Sequence, residues 1–132
     1  MRKVVLECKN VGKKIGDKLI INDISLEVRE GTIMGLIGPN GSGKTTLMKL
    51  ILGLQELSSG EIIINGYKKT ECFEQAIKDV GTIIENPDMY MYLTGYQNLK
   101  LVANLYNKKH TDIIRISKIV GINTYLNKKI KK

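Results

Sequence analysis

Residues 38–45, Gly-Pro-Asn-Gly-Ser-Gly-Lys-Thr, set three glycines and a lysine between an apolar run at residues 32–37 and an apolar stretch of helical length at residues 45–52. The spacing is G-x-x-x-x-G-K-[ST] in a strand–turn–helix context. Gly38, Gly41 and Gly43 let the backbone take positive φ and present successive N–H groups with no Cβ in the way. That row of amides sits at the positive end of a helix dipole and forms an anion nest. Lys44 is placed to reach β/γ-phosphates as a point charge, and the Thr45 hydroxyl to ligate Mg²⁺. Ile33, Met34, Leu36 and Ile37 suit a strand buried on both faces of a parallel sheet, so an α/β fold is expected.

The other segments fit a small domain around that loop. Residues 4–8 and 24–29 alternate as half-buried strands, with turns expected at Gly12, Gly16 and Asp17 between them. Gly53 can close the helix after the loop, and Ser58-Ser59-Gly60 breaks the chain before a short strand at 61–64 that ends on the hairpin signal Asn65-Gly66. Residues 70–78 read as a short helix and 80–84 as a second buried strand, which Pro87 terminates. Thr94 and Gln97 form a capping box that opens a helix to about residue 107. A last helix spans residues 111–120, with Gly121 as its stop.

The chain has 132 residues and a net charge of +8. Residues 1–104 hold 13 basic and 12 acidic side chains, and residues 105–132 hold 8 and 1. The basic excess lacks the arginine–aromatic interleaving that stacks bases, so it reads as a solvated helix face, and nucleic acid is not an expected partner. No apolar run approaches the ~18–20 residues that span a bilayer, and Met1-Arg2-Lys3 leads directly into a strand, which points to the cytosol. Cys8 and Cys72 lack metal or redox spacing and read as reduced, packed thiols. His110, flanked by Lys109, reads as a solvated surface residue.

Glu85 follows the apolar run 80–84 and lies 41 residues beyond Lys44. It has two chemical readings, an acid that coordinates Mg²⁺ at the end of its own strand or a switch-loop residue that senses the γ-phosphate. The second is preferred, because Glu85 comes early for a Walker B acid.

The order of three segments carries a family resemblance: Asn22-Asp23-Ile24-Ser25-Leu26-Glu27-Val28-Arg29-Glu30-Gly31, then Gly35-Leu36-Ile37-Gly38-Pro39-Asn40-Gly41-Ser42-Gly43-Lys44-Thr45-Thr46-Leu47, then Ser59-Gly60-Glu61-Ile62. Together they resemble the ATP-binding subunit of ABC transporters. The resemblance implies a P-loop NTPase fold: a RecA-like core with an antiparallel β subdomain over residues 1–93, and the start of a helical subdomain over residues 94–132, incomplete at the C-terminus. It implies ATP and Mg²⁺ as cofactors, held by Gly38, Pro39, Asn40, Gly41, Ser42, Gly43, Lys44, Thr45 and Thr46, with Thr45 and Glu85 toward the metal. It also implies a transmembrane permease and a second ATP-binding subunit as partners, at the cytoplasmic face of the membrane. The stretch Ile83-Ile84-Glu85-Asn86-Pro87 followed by Leu93-Thr94-Gly95-Tyr96-Gln97 is similar to the lantibiotic and bacitracin export or immunity subgroup.

Three departures qualify what the resemblance implies. Glu85 stands where the family's switch loop usually has Gln, and Ile15 stands where an aromatic residue usually stacks on adenine. The Leu-Ser-Gly-Gly-Gln-type motif, the Walker B acid, the catalytic Glu and the switch His are expected beyond Lys132. In the family's sheet the strands at 32–37 and 80–84 are not neighbours, so both are expected to lack ladder partners here and the isolated chain to be marginal. ATP binding with negligible turnover is expected of residues 1–132. The alternatives are a non-catalytic or truncated P-loop module, or another P-loop NTPase such as a small-molecule kinase. Asn127-Lys128-Lys129-Ile130 lacks the acid of a guanine-reading motif, and Arg115 is the helical segment's only arginine, too few for a kinase lid.

Overall fold

The structure is a computed structural model that describes residues 2–84 and 89–130. It divides into two compact units, one ending at Ile84 and the other beginning at Glu85.

The first unit is built on a four-stranded antiparallel sheet. Its strands are β1 (Val4–Ile15), β2 (Lys18–Arg29), β3 (Ser59–Ile64) and β4 (Tyr67–Lys68), in the order β2-β1-β3-β4. The first two strands are longer than simple alternation predicts and meet at a tight turn where Gly16 takes φ +56°. Gly12 is not a turn residue. It lies inside β1 opposite Ser59, and a Cβ there would stand 2.3 Å from the Ser59 hydroxyl oxygen. Asn65 and Gly66, at φ +52° and +85°, make the expected β3–β4 turn.

A bulge explains why β1 defeats a two-residue repeat. Asn10 takes φ +48°, accepts no strand pairing of its own in the β2 register, and is pinned by its side chain to Asp23 Oδ1 at 2.7 Å and by its N–H to Ser25 Oγ at 2.9 Å. The extra residue resets the parity of the strand, so Cys8 and Val11, an odd number of residues apart, both point into the core.

Helix α1 (Lys44–Ile51) lays Leu47 and Leu50 against Cys8, Val11, Ile21, Ile62, Ile64 and Ala76. It ends in a Schellman motif: Gly53 at φ +73° donates to the Leu50 carbonyl, and Leu54 to that of Lys49. Helix α2 (Phe73–Ile77) is shorter than expected and contributes Ala76 to the same core. Residues 32–37 and 80–84, read as buried strands, join no ladder among the described residues, and Ile33 and Ile37 are almost fully exposed. This matches the expectation that neither run has a neighbouring strand to pair with.

In the second unit, α3 (Gly95–Leu105) carries the expected capping box of Thr94 and Gln97. It pairs with α4 (His110–Ile119), after which Gly121 turns the chain at φ +75° into a 3₁₀ turn at Asn123–Tyr125. Buried Asn98 satisfies its amide on three backbone groups, accepting from Tyr90 N and donating to Tyr90 O and Thr94 O. The segment after the 3₁₀ turn returns to the start of α3, where Gly95 and Tyr96 donate to Lys128 O and Leu126 O. No helix among the described residues is long and apolar enough to cross a membrane.

The core thiol gives the first unit a testable pH dependence. Burial pushes the Cys8 pKa from 9.0 up to about 11, against a downward pull from nearby Lys69. The unfolded chain loses this proton as pH passes 9.0, whereas the folded one keeps it until about 11. The stability it provides is therefore whole below pH 9 and lost through pH 11, on the order of 2 kcal/mol. Lys69 acts in the opposite sense, because burial lowers its pKa and the folded state regains stability as pH rises toward 10.5. Urea unfolding at pH 8 and pH 10.5 should show a smaller alkaline loss in Cys8→Ala than in the wild type. Identical losses would remove Cys8 as the cause.

Candidate functional site

The loop before α1 takes the shape its glycines allow. Gly41 and Gly43 have φ +79° and +90°, and Gly43 serves as the N-cap of α1 without a side-chain cap. As first-turn groups, the N–H of Lys44, Thr45 and Thr46 have no intrahelical acceptor, and no acidic residue or side-chain cap stands there to take them. Gly43 also packs closely on β2, where a Cβ would lie 3.1 Å from the Ile20 carbonyl oxygen and 3.2 Å from Ile21 Cγ1. Gly38 approaches Ser42, whose hydroxyl oxygen would be 2.8 Å from an added Cβ.

Lys44 folds back into this ring. Its ammonium donates to the Gly38 and Pro39 carbonyls, each at 2.6 Å, and lies 3.4 Å from Ser42 Oγ. Ser42 N–H closes the turn on the Pro39 carbonyl at 3.3 Å. The loop thus carries a positive charge at its centre and free amides at its rim, an arrangement able to hold a polyphosphate. A cavity of about 280 Å³ opens beside it, lined by Gly38, Pro39, Ser42, Gly43 and Lys44 together with aliphatic residues that include Ile21, Ile24, Leu36 and Ile37.

The remaining sequence candidates fall in different places. Asn40 and Thr45 are exposed at the loop and the first turn of α1, and Thr46 is half-buried beside them. The Thr45 hydroxyl is the kind of oxygen ligand that a hard cation takes, so the first turn fits Mg²⁺ held jointly with phosphate oxygens. Among the described residues no group of three His, Cys, Asp or Glu side chains could hold a metal without such a ligand. Ile15, at the end of β1, is 54 % exposed and does not line the cavity. Glu85 lies outside the described residues.

Sequence reasoning missed Lys69. Its side chain is 8 % exposed, and its ammonium donates to the Leu50 carbonyl at the C-terminal end of α1. A cation there completes the helix opposite the end that faces the loop. Nothing in the pair Lys68-Lys69 distinguishes the buried lysine from the exposed one, which pairs with Glu61 and Glu71. The two cysteines are free as expected, and exposed His110 makes one contact, a 2.6 Å hydrogen bond between its Nδ1 and the Tyr96 hydroxyl.

This loop, helix and antiparallel sheet are those of an ABC-type ATPase nucleotide-binding domain. The family model for ABC transporters matches residues 21–132, and the chain belongs to that family. It is 43 % identical over 132 residues to the uncharacterized ABC transporter ATP-binding protein YdbJ of Bacillus subtilis (strain 168), covering 99 % of this chain and 43 % of YdbJ. It is 32 % identical over 127 residues to the lantibiotic transport ATP-binding protein SrtF of Streptococcus pyogenes, covering 96 % of this chain and 54 % of SrtF. A solved ATP-binding subunit of an ABC transporter superposes with a TM-score of 0.80 at 29 % identity, over 95 % of this chain and 54 % of that one. The chain spans about half the length of these relatives.

The close packing of Gly43 on β2 separates two glycines that the motif treats alike. Gly43→Ala adds a contact with the Ile20 carbonyl to the strain of positive φ and should cost roughly 1–3 kcal/mol. Gly41→Ala meets no atom within 4 Å and should cost only the conformational part, about 1 kcal/mol. Urea midpoints of the two variants check this. Equal losses would show that the β2 contact does not constrain the loop.

Proposed function

We propose that residues 1–132 are the nucleotide-gripping half of the ATP-binding subunit of an ABC transporter. The observation that carries this reading is the loop itself, with Lys44 centred on the Gly38 and Pro39 carbonyls at the open N-terminus of α1. In this reading residues 38–46 hold the triphosphate of ATP, and the Thr45 hydroxyl faces its Mg²⁺. Glu85 occupies the switch loop on the metal side and transmits the state of the γ-phosphate, and Ile15 contacts the adenine. When bound, Mg²⁺ neutralises charge on the phosphates. The chain's own residues bind and orient the triphosphate through backbone amides and the ammonium.

The subunit works at the cytoplasmic face of the membrane with a transmembrane permease and a second ATP-binding subunit. Nucleotide closes the dimer, and hydrolysis resets it. The likeness to SrtF supports a substrate of the lantibiotic type, and the 42 % identity over 101 residues to the bacitracin transport ATP-binding protein BcrA of Enterococcus faecalis extends the reading to bacitracin-like peptides. Residues 1–93 form the core and antiparallel subdomain of the parent domain, and residues 94–132 begin its helical subdomain. The unpaired runs at 32–37 and 80–84 take their ladder partners from the rest of the subunit.

Gripping a nucleotide is separable from turning it over. Among the described residues the loop cavity has no carboxylate or histidine in its lining to position a water for attack on the γ-phosphate. Titration calorimetry of residues 1–132 with MgATP should therefore show binding that falls roughly 10- to 100-fold in Lys44→Ala, since a charge-assisted contact is worth about 1.5–3 kcal/mol. Steady-state assays should show no phosphate release above background. Unchanged affinity in Lys44→Ala would sink the assignment of the loop, and hydrolysis that Lys44→Ala abolishes would sink the division between grip and turnover. In the complete subunit, Glu85→Gln should keep ATP binding and change hydrolysis. Loss of binding instead would make Glu85 a direct metal ligand.

A further inference from the structure

We propose that a cavity at the C-terminal end of α1 binds a small zwitterion of the apolar amino-acid class. Lys69 takes the ligand's carboxylate, Glu56 and Gln55 its ammonium, and Leu57 and Phe73 its side chain. The inference stands apart from the reading of residues 38–46, none of which lines this cavity.

The cavity measures about 450 Å³ and lies within the first unit. Its lining comes from residues 53–57, where the chain leaves α1, and from residues 69–73, which lead from β4 into α2. The eight residues of α1 put this end about 12 Å from the loop. Ligand pockets run from about 300 to 1,000 Å³, so this one suits a single small metabolite better than a nucleotide.

Its charges are not balanced by the protein. Lys69 is 8 % exposed, and its ammonium, with three N–H groups to place, donates to the Leu50 carbonyl alone among the described residues. Burial lowers its pKa, and Cys8 and Glu56 pull the other way without offsetting it. The neighbouring Lys68, by contrast, has both Glu61 and Glu71. A buried cation without an ion-pair partner is costly, and a carboxylate in the cavity supplies the charge and the acceptor oxygens that Lys69 lacks.

The same lining holds an anion in the same condition. Glu56 is exposed, its backbone carbonyl accepts from Lys13, and its carboxylate makes no ion pair among the described residues, with Lys69 or with any other cation. Beside it, the Gln55 side-chain oxygen is buried and has no donor. An amide's terminal torsion is soft, so that oxygen can turn to a donor placed in the cavity. A cation and an anion that share a lining without pairing match a ligand that carries both charges. A simple amine would meet Lys69 unfavourably, and a phosphate dianion would meet Glu56 unfavourably.

The rest of the wall selects an apolar body. Leu57 is half-buried, and Phe73 is 42 % exposed with its ring set over Gly53, where an added Cβ would stand 2.3 Å from Cε2. The ring is thus held at the cavity with one part still open, a surface for an aliphatic or aromatic side chain.

Titration calorimetry of residues 1–132 with L-leucine and L-phenylalanine should show binding. Isopentylamine, which is leucine without its carboxylate, should bind about 10- to 100-fold more weakly than L-leucine. Isocaproate, which is leucine without its ammonium, should bind about 2- to 5-fold more weakly, because Glu56 is exposed. Glu56→Gln should abolish the preference for L-leucine over isocaproate, and Lys69→Met the preference for L-leucine over isopentylamine. Circular dichroism tells whether Lys69→Met folds, and where it does not, the ligand series and the exposed Glu56→Gln decide. Lys44→Ala should leave every one of these affinities unchanged, so failure of the nucleotide reading and failure of this one are separate results. Absence of binding by both amino acids at roughly 10 mM would overturn the proposal. Isopentylamine binding as tightly as L-leucine, or a Glu56→Gln variant that keeps its preference over isocaproate, would overturn it as well.

Discussion

Leu47 and Leu50 pin α1 to the inner face of the sheet, and the direction of that helix decides where the loop can present its amides. The two leucines pack on Cys8 and Val11 from β1, Ile21 from β2 and Ile62 and Ile64 from β3, so the antiparallel sheet sets the orientation of the anion nest although it contributes no group to it. The β1 bulge is part of the same arrangement. Without the parity reset at Asn10, either Cys8 or Val11 would face away from α1. The C-terminal end of α1 is held as firmly, by the Gly53 turn and by the buried Lys69 ammonium on the Leu50 carbonyl.

The strand side of the loop is held much less. Among the described residues, 33–37 find no ladder partner, and they expose Ile33, Met34, Leu36 and Ile37, a run of apolar side chains that a folded protein ordinarily buries. Their backbone groups invite pairing with any available strand. In the proposed reading, both the half-length match to relatives and the exposure of this run fit a sheet completed by further strands.

The sequence made the loop legible because its information is local: three glycines and a lysine at fixed spacing dictate turn, nest and charge without reference to the rest of the fold. The Asn65-Gly66 turn and the Thr94–Gln97 capping box were legible for the same reason. What could not be read depends on neighbours distant in sequence. Gly12 looks like a turn residue until Ser59 is seen pressed against it. Lys69 looks like surface charge until it is found under α1. Residues 32–37 have the composition of a buried strand, and composition states what a segment would bury without supplying the partner that buries it. Ile15 was singled out by resemblance alone, and it stands half-exposed on the hairpin, outside the lining of the loop cavity.

The unequal anchoring of the loop has a consequence for how it holds charge. From the helix side, Gly43 lies close enough to β2 that an added Cβ would stand 3.1 Å from the Ile20 carbonyl oxygen. From the strand side, the connection runs back unpaired to Thr32, which is tied to the Arg29 carbonyl by its N–H and its hydroxyl. Between these points the ring is closed chiefly by the Lys44 ammonium on the Gly38 and Pro39 carbonyls. Lys44 therefore has two duties that draw on the same donors. It organises the loop, and in the proposed reading it also meets an incoming phosphate, which would compete with those carbonyls for it. Pairing of residues 32–37 by neighbouring strands would take over the first duty and free the lysine for the second, so completing the sheet would tighten nucleotide binding without adding any contact to the nucleotide itself.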